Sequence, residues 1–183
     1  SPYIIARPQE QEQQQQQRPF QVIYIHLGVN RCARQFYLET RAFNEADFGC
    51  PDESGWQPRK EPISGTGSID STRNSSLPLS KVAESLRSRG FAVGLSMDAG
   101  RFVCNWTYFK SLMLAERCNN AQNSGALTLS GMNQVRVHAV FVHVPSTEQI
   151  SFNTQWHFLR ALLEELGTEA TSNHFKLAFR PAS

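Results

Sequence analysis

Residues 91–105, FAVGLSMDAGRFVCN, decide the fold because they read as a strand, a tight turn and the start of a helix. The segment 91–95 is a short apolar run, which is typical of a buried strand. The segment 96–101 contains the small and acidic residues that form turns. From 104 to 117 the apolar residues recur at helical spacing. A strand that turns directly into a helix is a building unit of α/β proteins.

The same alternation of strands and helices continues on both sides of this stretch. Before it, 81–89 places its apolar residues on one helical face and is followed by Gly90 as a stop signal. After it, a polar loop at 119–134 leads to the longest predicted strand, 135–144, and to an amphipathic helix at 152–166. We therefore predict an α/β fold, a three-layer sandwich in which a mostly parallel central sheet is covered by helices on both faces.

The N-terminal residues differ in composition from the rest. Residues 9–17 are only Gln and Glu, a composition that cannot bury apolar area. We predict a disordered Gln-rich segment at 1–19, one folded domain at 20–166 and a C-terminal tail at 167–183. The remaining predicted elements are two strands and a long loop, at 20–27, 35–43 and 44–76.

Composition argues against several classes of function. The net charge is +2 and the basic residues are scattered, so nucleic acid is not an expected partner. No apolar run approaches the roughly 18 residues of a membrane helix, so no membrane association is expected. The four cysteines form no CxxC pair and have no close histidine. We therefore expect free thiols in the cytoplasm and no bound metal.

Three residues from separate segments could form a nucleophilic site. Cys104 lies at a helix start, where the helix dipole and the nearby Arg101 favour a thiolate. His143 ends a strand, where it could act as a general base, and alternation places His138 on the other face. Glu39 lies in an apolar strand, where a buried carboxylate needs a partner. The residues alone leave open a structural cysteine, a core histidine and a surface glutamate.

Several short motifs resemble those of pyroglutamyl peptidase I, a family of cysteine peptidases. Residues 98–105, DAGRFVCN, are similar to its nucleophile motif, and 141–145, FVHVP, to its histidine motif. Residues 38–55 resemble its glutamate segment through Leu-Glu, Ala, Asn, Pro-Asp and Gly, and 26–28, HLG, match the strand end before it. The segments stand in the family's order, and the likeness spans about 20–166.

The resemblance implies an omega peptidase that removes pyroglutamate from peptide N-termini without a cofactor. Its catalytic residues would be Glu39, Cys104 and His143, with a Cys104 thioester as the acyl-enzyme. The substrate-binding positions that the resemblance implies are Val29, Phe102 and Val103. Core packing is the alternative reading for these three.

The chain also departs from the family pattern. The family's aromatic-rich turn after its first strand has no counterpart before Phe20, so we expect that the domain at 20–166 is partial and lacks the N-terminal strand and helices. Gly49 stands where many members carry arginine, and Arg101 or Arg31 are candidate substitutes. The alternative function is a catalytically impaired relative that binds blocked peptide N-termini or partners without cleavage.

Overall fold

The computed structural model describes residues 20–65, 67–123 and 135–171. The predicted Gln-rich segment at 1–19 and the end of the predicted tail, 172–183, lie outside these residues. Most of the predicted loop at 119–134 also lies outside them. The helices are α1 Leu79–Ser88, α2 Val103–Asn123 and α3 Phe152–Thr171. The strands are β1 Phe20–Asn30, β2 Phe36–Glu39, β3 Arg41–Phe43, β4 Glu45–Ala46, β5 Glu61–Pro62, β6 Thr72–Asn74, β7 Val93–Ser96 and β8 Val135–Pro145.

The main sheet has four strands in the order β1-β8-β2-β7. β1 runs parallel to β8 and β2 runs parallel to β7, while β8 and β2 are antiparallel. Two small antiparallel pairs, β3 with β6 and β4 with β5, lie beside the main sheet. β4, β5 and β6 lie in the segment predicted as a long loop, and β3 lies at the end of the predicted strand at 35–43. The prediction of a mostly parallel sheet is confirmed.

Side chains alternate between the two faces of β8, and each face packs on different helices. Val140 and Val142 join the core that contains residues of α1 and α3. Ala139 and Phe141 join a second core with residues of α2. Burying apolar side chains on both faces is what makes a sheet stable between two helical layers. The predicted three-layer α/β sandwich is therefore confirmed.

The predicted strand at 35–43 is divided into two strands that belong to different sheets. The break is at Thr40, whose N–H and hydroxyl both donate to the carbonyl of Ser96, at 2.7 and 2.9 Å. The Thr40 carbonyl accepts the N–H of Ser75 at 2.8 Å. Because of these bonds the pairing of β2 ends at Glu39, and the chain continues into β3.

Helix α2 extends past the predicted end at Arg117. Asn119 donates to the carbonyl of Val137 and accepts its N–H, both at 2.9 Å. Gln122 accepts the N–H of Val135 at 2.8 Å. Polar residues that look like a loop in the sequence therefore continue the helix because they bond the backbone at the start of β8. Helix α3 likewise continues to Thr171.

Strand β1 lies at the edge of the described sheet and exposes apolar side chains on both of its faces. Val22, Tyr24, Leu27 and Val29 are among the most exposed large apolar residues of the described chain. A strand edge with exposed apolar side chains is a site for pairing or self-association.

The described helices include none with the length and apolar character needed to cross a bilayer.

Candidate active site

The structure brings Cys104, His143 and Glu39 together at one end of the main sheet. Gly28 of β1 pairs with His143 of β8. A Cβ placed on Gly28 would lie 3.0 Å from the sulfur of Cys104. The turn that follows β7 leads into α2, and this turn brings Cys104 over β1 and β8. Three segments that are far apart in the sequence therefore lie together at this end of the sheet.

His143 and Glu39 are directly hydrogen-bonded across the antiparallel pair β8 and β2. Nδ1 of His143 lies 2.7 Å from Oε1 of Glu39, and their side chains are 12% and 2% exposed. In the register Tyr37 stands opposite His143 and Glu39 stands opposite Phe141. Residues two positions apart on paired strands share a face, so both side chains point towards α2. A carboxylate at Nδ1 leaves Nε2 free to face a reacting group.

The other carboxylate oxygen, Oε2 of Glu39, is buried and receives no hydrogen bond within the described residues. A buried ionised group is costly unless it is paired. The hydrogen bond to His143 is therefore the main interaction that compensates for burying this carboxylate. The same interaction favours the protonated form of the imidazole.

The pKa of His143 is shifted upward. Burial lowers it, but hydrogen bonds to Cys104 and Glu39 and the charge of both partners outweigh burial and raise the pKa to about 9. Cys104 is half-buried and is the second residue of α2. Its position at a helix N-terminus beside a protonated imidazole is the environment in which cysteine acts as a nucleophile.

A cavity of about 520 Å³ opens beside His143 and Glu39. Its walls come from the ends of β1, β2 and β7 and from the turn before α2. They include Asn30, Cys32, Tyr37, Ser96, Asp98 and Gly100. A concave space beside the candidate base is where a small molecule can bind. Cys104, Val29, Phe102 and Val103 are not among the residues that line it.

The predicted substrate-binding residues are solvent-accessible. Val29 is 61% exposed near the end of β1, and Phe102 and Val103 are 39% and 37% exposed at the start of α2. The ring of Phe102 meets Phe48 edge-on, with centroids 4.7 Å apart, and Phe48 packs in the same way on Trp56. Phe48 and Trp56 were not predicted, because residues 44–76 gave no periodic signal.

Gly49, where many family members carry arginine, and Arg101, a candidate substitute for that arginine, have different surroundings. A Cβ on Gly49 would meet no atom within 4 Å. Arg101 pairs with Glu45 at 2.7 Å and with Asp98 at 2.6 Å. Its guanidinium also lies 3.8 Å from the centroid of Phe43. Arg101 therefore contacts these neighbours and makes no ion pair with Glu39 within the described residues.

Two further residues of α2 were missed by the sequence analysis. Asn105 and Tyr108 are fully buried, and both bond backbone atoms of the segment that carries Glu39. The available signal was a polar residue next to the candidate nucleophile on an otherwise apolar helix. That signal does not reveal a partner about 60 residues away.

Comparison with known proteins places these features in one family. Residues 2–163 match the family described as pyroglutamyl peptidase. The chain is 27% identical over 125 residues to a pyrrolidone-carboxylate peptidase of Thermococcus litoralis, covering 68% of this chain and 49% of that protein. It is 26% identical over 144 residues to the Pyrococcus furiosus protein, covering 79% of this chain and 61% of that one. The chain thus spans about half to three fifths of these relatives.

Solved structures show the same fold. A mutant pyrrolidone carboxyl peptidase of Pyrococcus furiosus superposes with a TM-score of 0.62 at 24% identity, covering 80% of this chain and 69% of that one. The Thermus thermophilus protein gives a TM-score of 0.58 at 23% identity, covering 77% of this chain and 68% of that one. Since the family match extends over most of the sequence, this chain belongs to the pyroglutamyl peptidase family of cysteine peptidases.

Proposed function

We propose that this chain carries the catalytic site of a pyroglutamyl peptidase and that the site hydrolyses the amide bond after an N-terminal pyroglutamyl residue. The observation that carries the proposal is the arrangement of Cys104, His143 and Glu39. The imidazole is bonded to the carboxylate at 2.7 Å and interacts with the thiol on its other side. Family membership supplies the substrate class.

The first step is attack by the Cys104 thiolate on the carbonyl carbon that joins pyroglutamate to the next residue. A C–S bond forms and the carbonyl oxygen becomes an oxyanion. The N–H groups at the start of α2 have no partner within the helix, so they are suited to receive it. When the C–N bond breaks, the imidazolium of His143 gives its proton to the departing amine.

Hydrolysis of the thioester completes the cycle. His143, now neutral, takes a proton from water as the water oxygen attacks the thioester carbon. The C–S bond breaks, and free pyroglutamate leaves. Glu39 keeps the proton of the neutral imidazole on Nδ1 and stabilises the cation when it forms, as the aspartate does in serine peptidase triads. No cofactor takes part in these steps.

Recognition of the lactam is assigned to the exposed apolar residues beside the nucleophile. A flat neutral ring suits apolar walls with a few backbone hydrogen bonds. Phe102 and Val103 offer such walls next to Cys104. Val29 is assigned a backbone contact, because its side chain alternates to the face of β1 opposite Gly28 and Cys104. We infer a cytoplasmic setting, because the proposed nucleophile must stay reduced and the cysteines of the described chain are free thiols.

The test is release of 7-amino-4-methylcoumarin from its pyroglutamyl amide. We expect the chain to release the dye, Cys104→Ala to abolish release at an unchanged melting temperature, and the matched control Cys50→Ala to leave it intact. A folded chain that binds the amide but releases no dye would instead establish the impaired relative that binds without cleavage. Equal activity in Cys104→Ala would remove Cys104 from the mechanism.

A further inference from the structure

Two buried side chains that the proposed mechanism does not use connect the nucleophile helix to Glu39 and to the residues that follow it in the chain. Asn105 and Tyr108 follow Cys104 on α2, and both are fully buried. Buried polar groups cost stability unless they are bonded, so their partners indicate what they hold in place.

Tyr108 bonds the residue that orients the imidazole. Its hydroxyl donates to the main-chain carbonyl of Glu39 at 2.7 Å. Glu39 is the last residue of β2, where the chain leaves the main sheet for β3. The bond from Tyr108 therefore fixes the backbone of Glu39 at the point where strand pairing stops.

Asn105 bonds the backbone of the same segment a few residues after Glu39. Its Oδ1 accepts the N–H of Phe43 at 2.9 Å. Its Nδ2 donates to the carbonyls of Phe43 and Glu45, at 3.0 and 2.9 Å. One side chain thus replaces three backbone partners, and it does so next to the nucleophile.

Ser75 extends this network to the strand that carries His143. Its hydroxyl donates to the carbonyl of Ala139 in β8 at 2.9 Å, and its N–H donates to Thr40 at 2.8 Å. Burial raises the pKa of Tyr108, and a hydrogen bond with Ser75 acts against this rise. The raised pKa keeps the phenol a neutral donor at neutral pH.

We propose that Asn105 and Tyr108 are positioning residues. From the helix that carries Cys104, they hold the backbone around Glu39 so that its carboxylate can bond His143. The proposal rests on the proposed function, since it assigns these residues a role in the same site. Cys104 and both positioning residues belong to one rigid helix. The helix that carries the thiol therefore also fixes the backbone that carries the carboxylate.

The test is the pH dependence of Cys104 alkylation by iodoacetamide, followed by peptide mass spectrometry. Exposed Cys50 lies in the same chain and serves as the internal reference. Tyr108→Phe keeps the ring and removes only the hydroxyl. We expect the ratio of Cys104 to Cys50 alkylation rates near pH 6.5 to fall about tenfold. This is the change that corresponds to one unit in the pKa of the imidazole beside the thiol. Asn105→Ala is expected to act in the same direction.

The matched control is Phe109→Leu, a neighbouring buried position on α2 in the same core. A merely structural role predicts lower melting temperatures for both variants and an unchanged alkylation ratio. The proposal is overturned if Tyr108→Phe keeps the wild-type ratio, or if Phe109→Leu lowers the ratio equally.

Dye release by the wild type separates this proposal from the proposed function. A wild type that shows a high ratio but releases no dye refutes the substrate assignment, while the Tyr108→Phe ratio still decides the positioning role. A wild type whose Cys104 reacts no faster than Cys50 refutes both.

Discussion

Nδ1 of His143 lies 2.7 Å from Oε1 of Glu39, and this is the one hydrogen bond found for that carboxylate within the described residues. A buried carboxylate with one oxygen bonded and one unpaired holds its partner's proton strongly, because losing that proton removes its only ion pair. The relationship makes the protonation of His143 and the orientation of its ring depend on the same contact. Two of the predictions below follow from it.

The first prediction concerns the alkaline limb of the pH–rate profile. On the proposed mechanism the imidazolium must give a proton to the leaving amine, and the pKa of His143 is raised to about 9. The rate of acylation should therefore stay constant at pH values below this pKa and fall as the pH rises through it. In Glu39→Gln one of the causes of the raised pKa is lost, so the limb should move to lower pH. Single-turnover dye release across pH 6 to 10 measures this, and a limb that stays in place contradicts it.

The second prediction separates the role of Glu39 from its burial. Glu39→Gln keeps the shape of the side chain but removes the charge that stabilises the imidazolium. We expect kcat to fall by about 10² to 10⁴-fold, as when the triad carboxylate of a serine peptidase is neutralised. The melting temperature should change little, since the variant no longer buries an ionised group.

The matched control for Glu39 is Glu45→Gln. Glu45 is a partly buried carboxylate on the same segment, and it pairs with Arg101 rather than with His143. This control should lose stability with little change in kcat. Equal losses of kcat in the two variants would show that any carboxylate of the segment matters only for folding.

The third prediction concerns the space around Cys104. A Cβ on Gly28 would lie 2.6 Å from Cζ of Phe141 and 3.0 Å from the sulfur of Cys104. The Phe141 ring is buried and packs near His26 and Tyr108, so it has little room to move. Gly28→Ala should therefore displace Cys104, reduce dye release at least tenfold and cost about 1–3 kcal/mol of stability.

Gly49→Ala provides the matched control for Gly28→Ala, because its Cβ meets no atom within 4 Å. It should retain activity and gain about 0.4–1 kcal/mol, since alanine lowers the entropy of the unfolded chain. Thermal unfolding and dye release are measured on both variants. Full activity in Gly28→Ala would mean that the sulfur is not confined as the structure indicates.

The residues differ in how far their sequence context could predict their place. Residues 141–145 combine an apolar run, a histidine and a proline, and period-two alternation separates His143 from His138. In the structure His138 bonds Ser76 and Gln21 instead of the site. Local patterns of this kind identify elements and faces because they depend on a few neighbouring residues.

The missed features depend on partners that are distant in the sequence. Thr40 interrupts a strand-like run only because the Ser96 carbonyl is there to accept its bonds. Asn119 continues a helix because Val137 of β8 satisfies its amide. The link from Tyr108 to Glu39 spans 69 residues. Such contacts exist only after the chain has folded, so no local propensity predicts them.

The last prediction concerns the exposed edge of β1. Val22 and Tyr24 are 40% and 42% exposed on this strand, whose outer edge has no partner strand in the described sheet. Strand edges of this kind associate unless a charge blocks them. Val22→Lys should therefore raise the concentration at which light scattering detects association, without lowering Cys104 alkylation. Leu114→Lys is the control, because Leu114 is 44% exposed but lies on helix α2. If both lysines act equally, net charge and not the strand edge governs association.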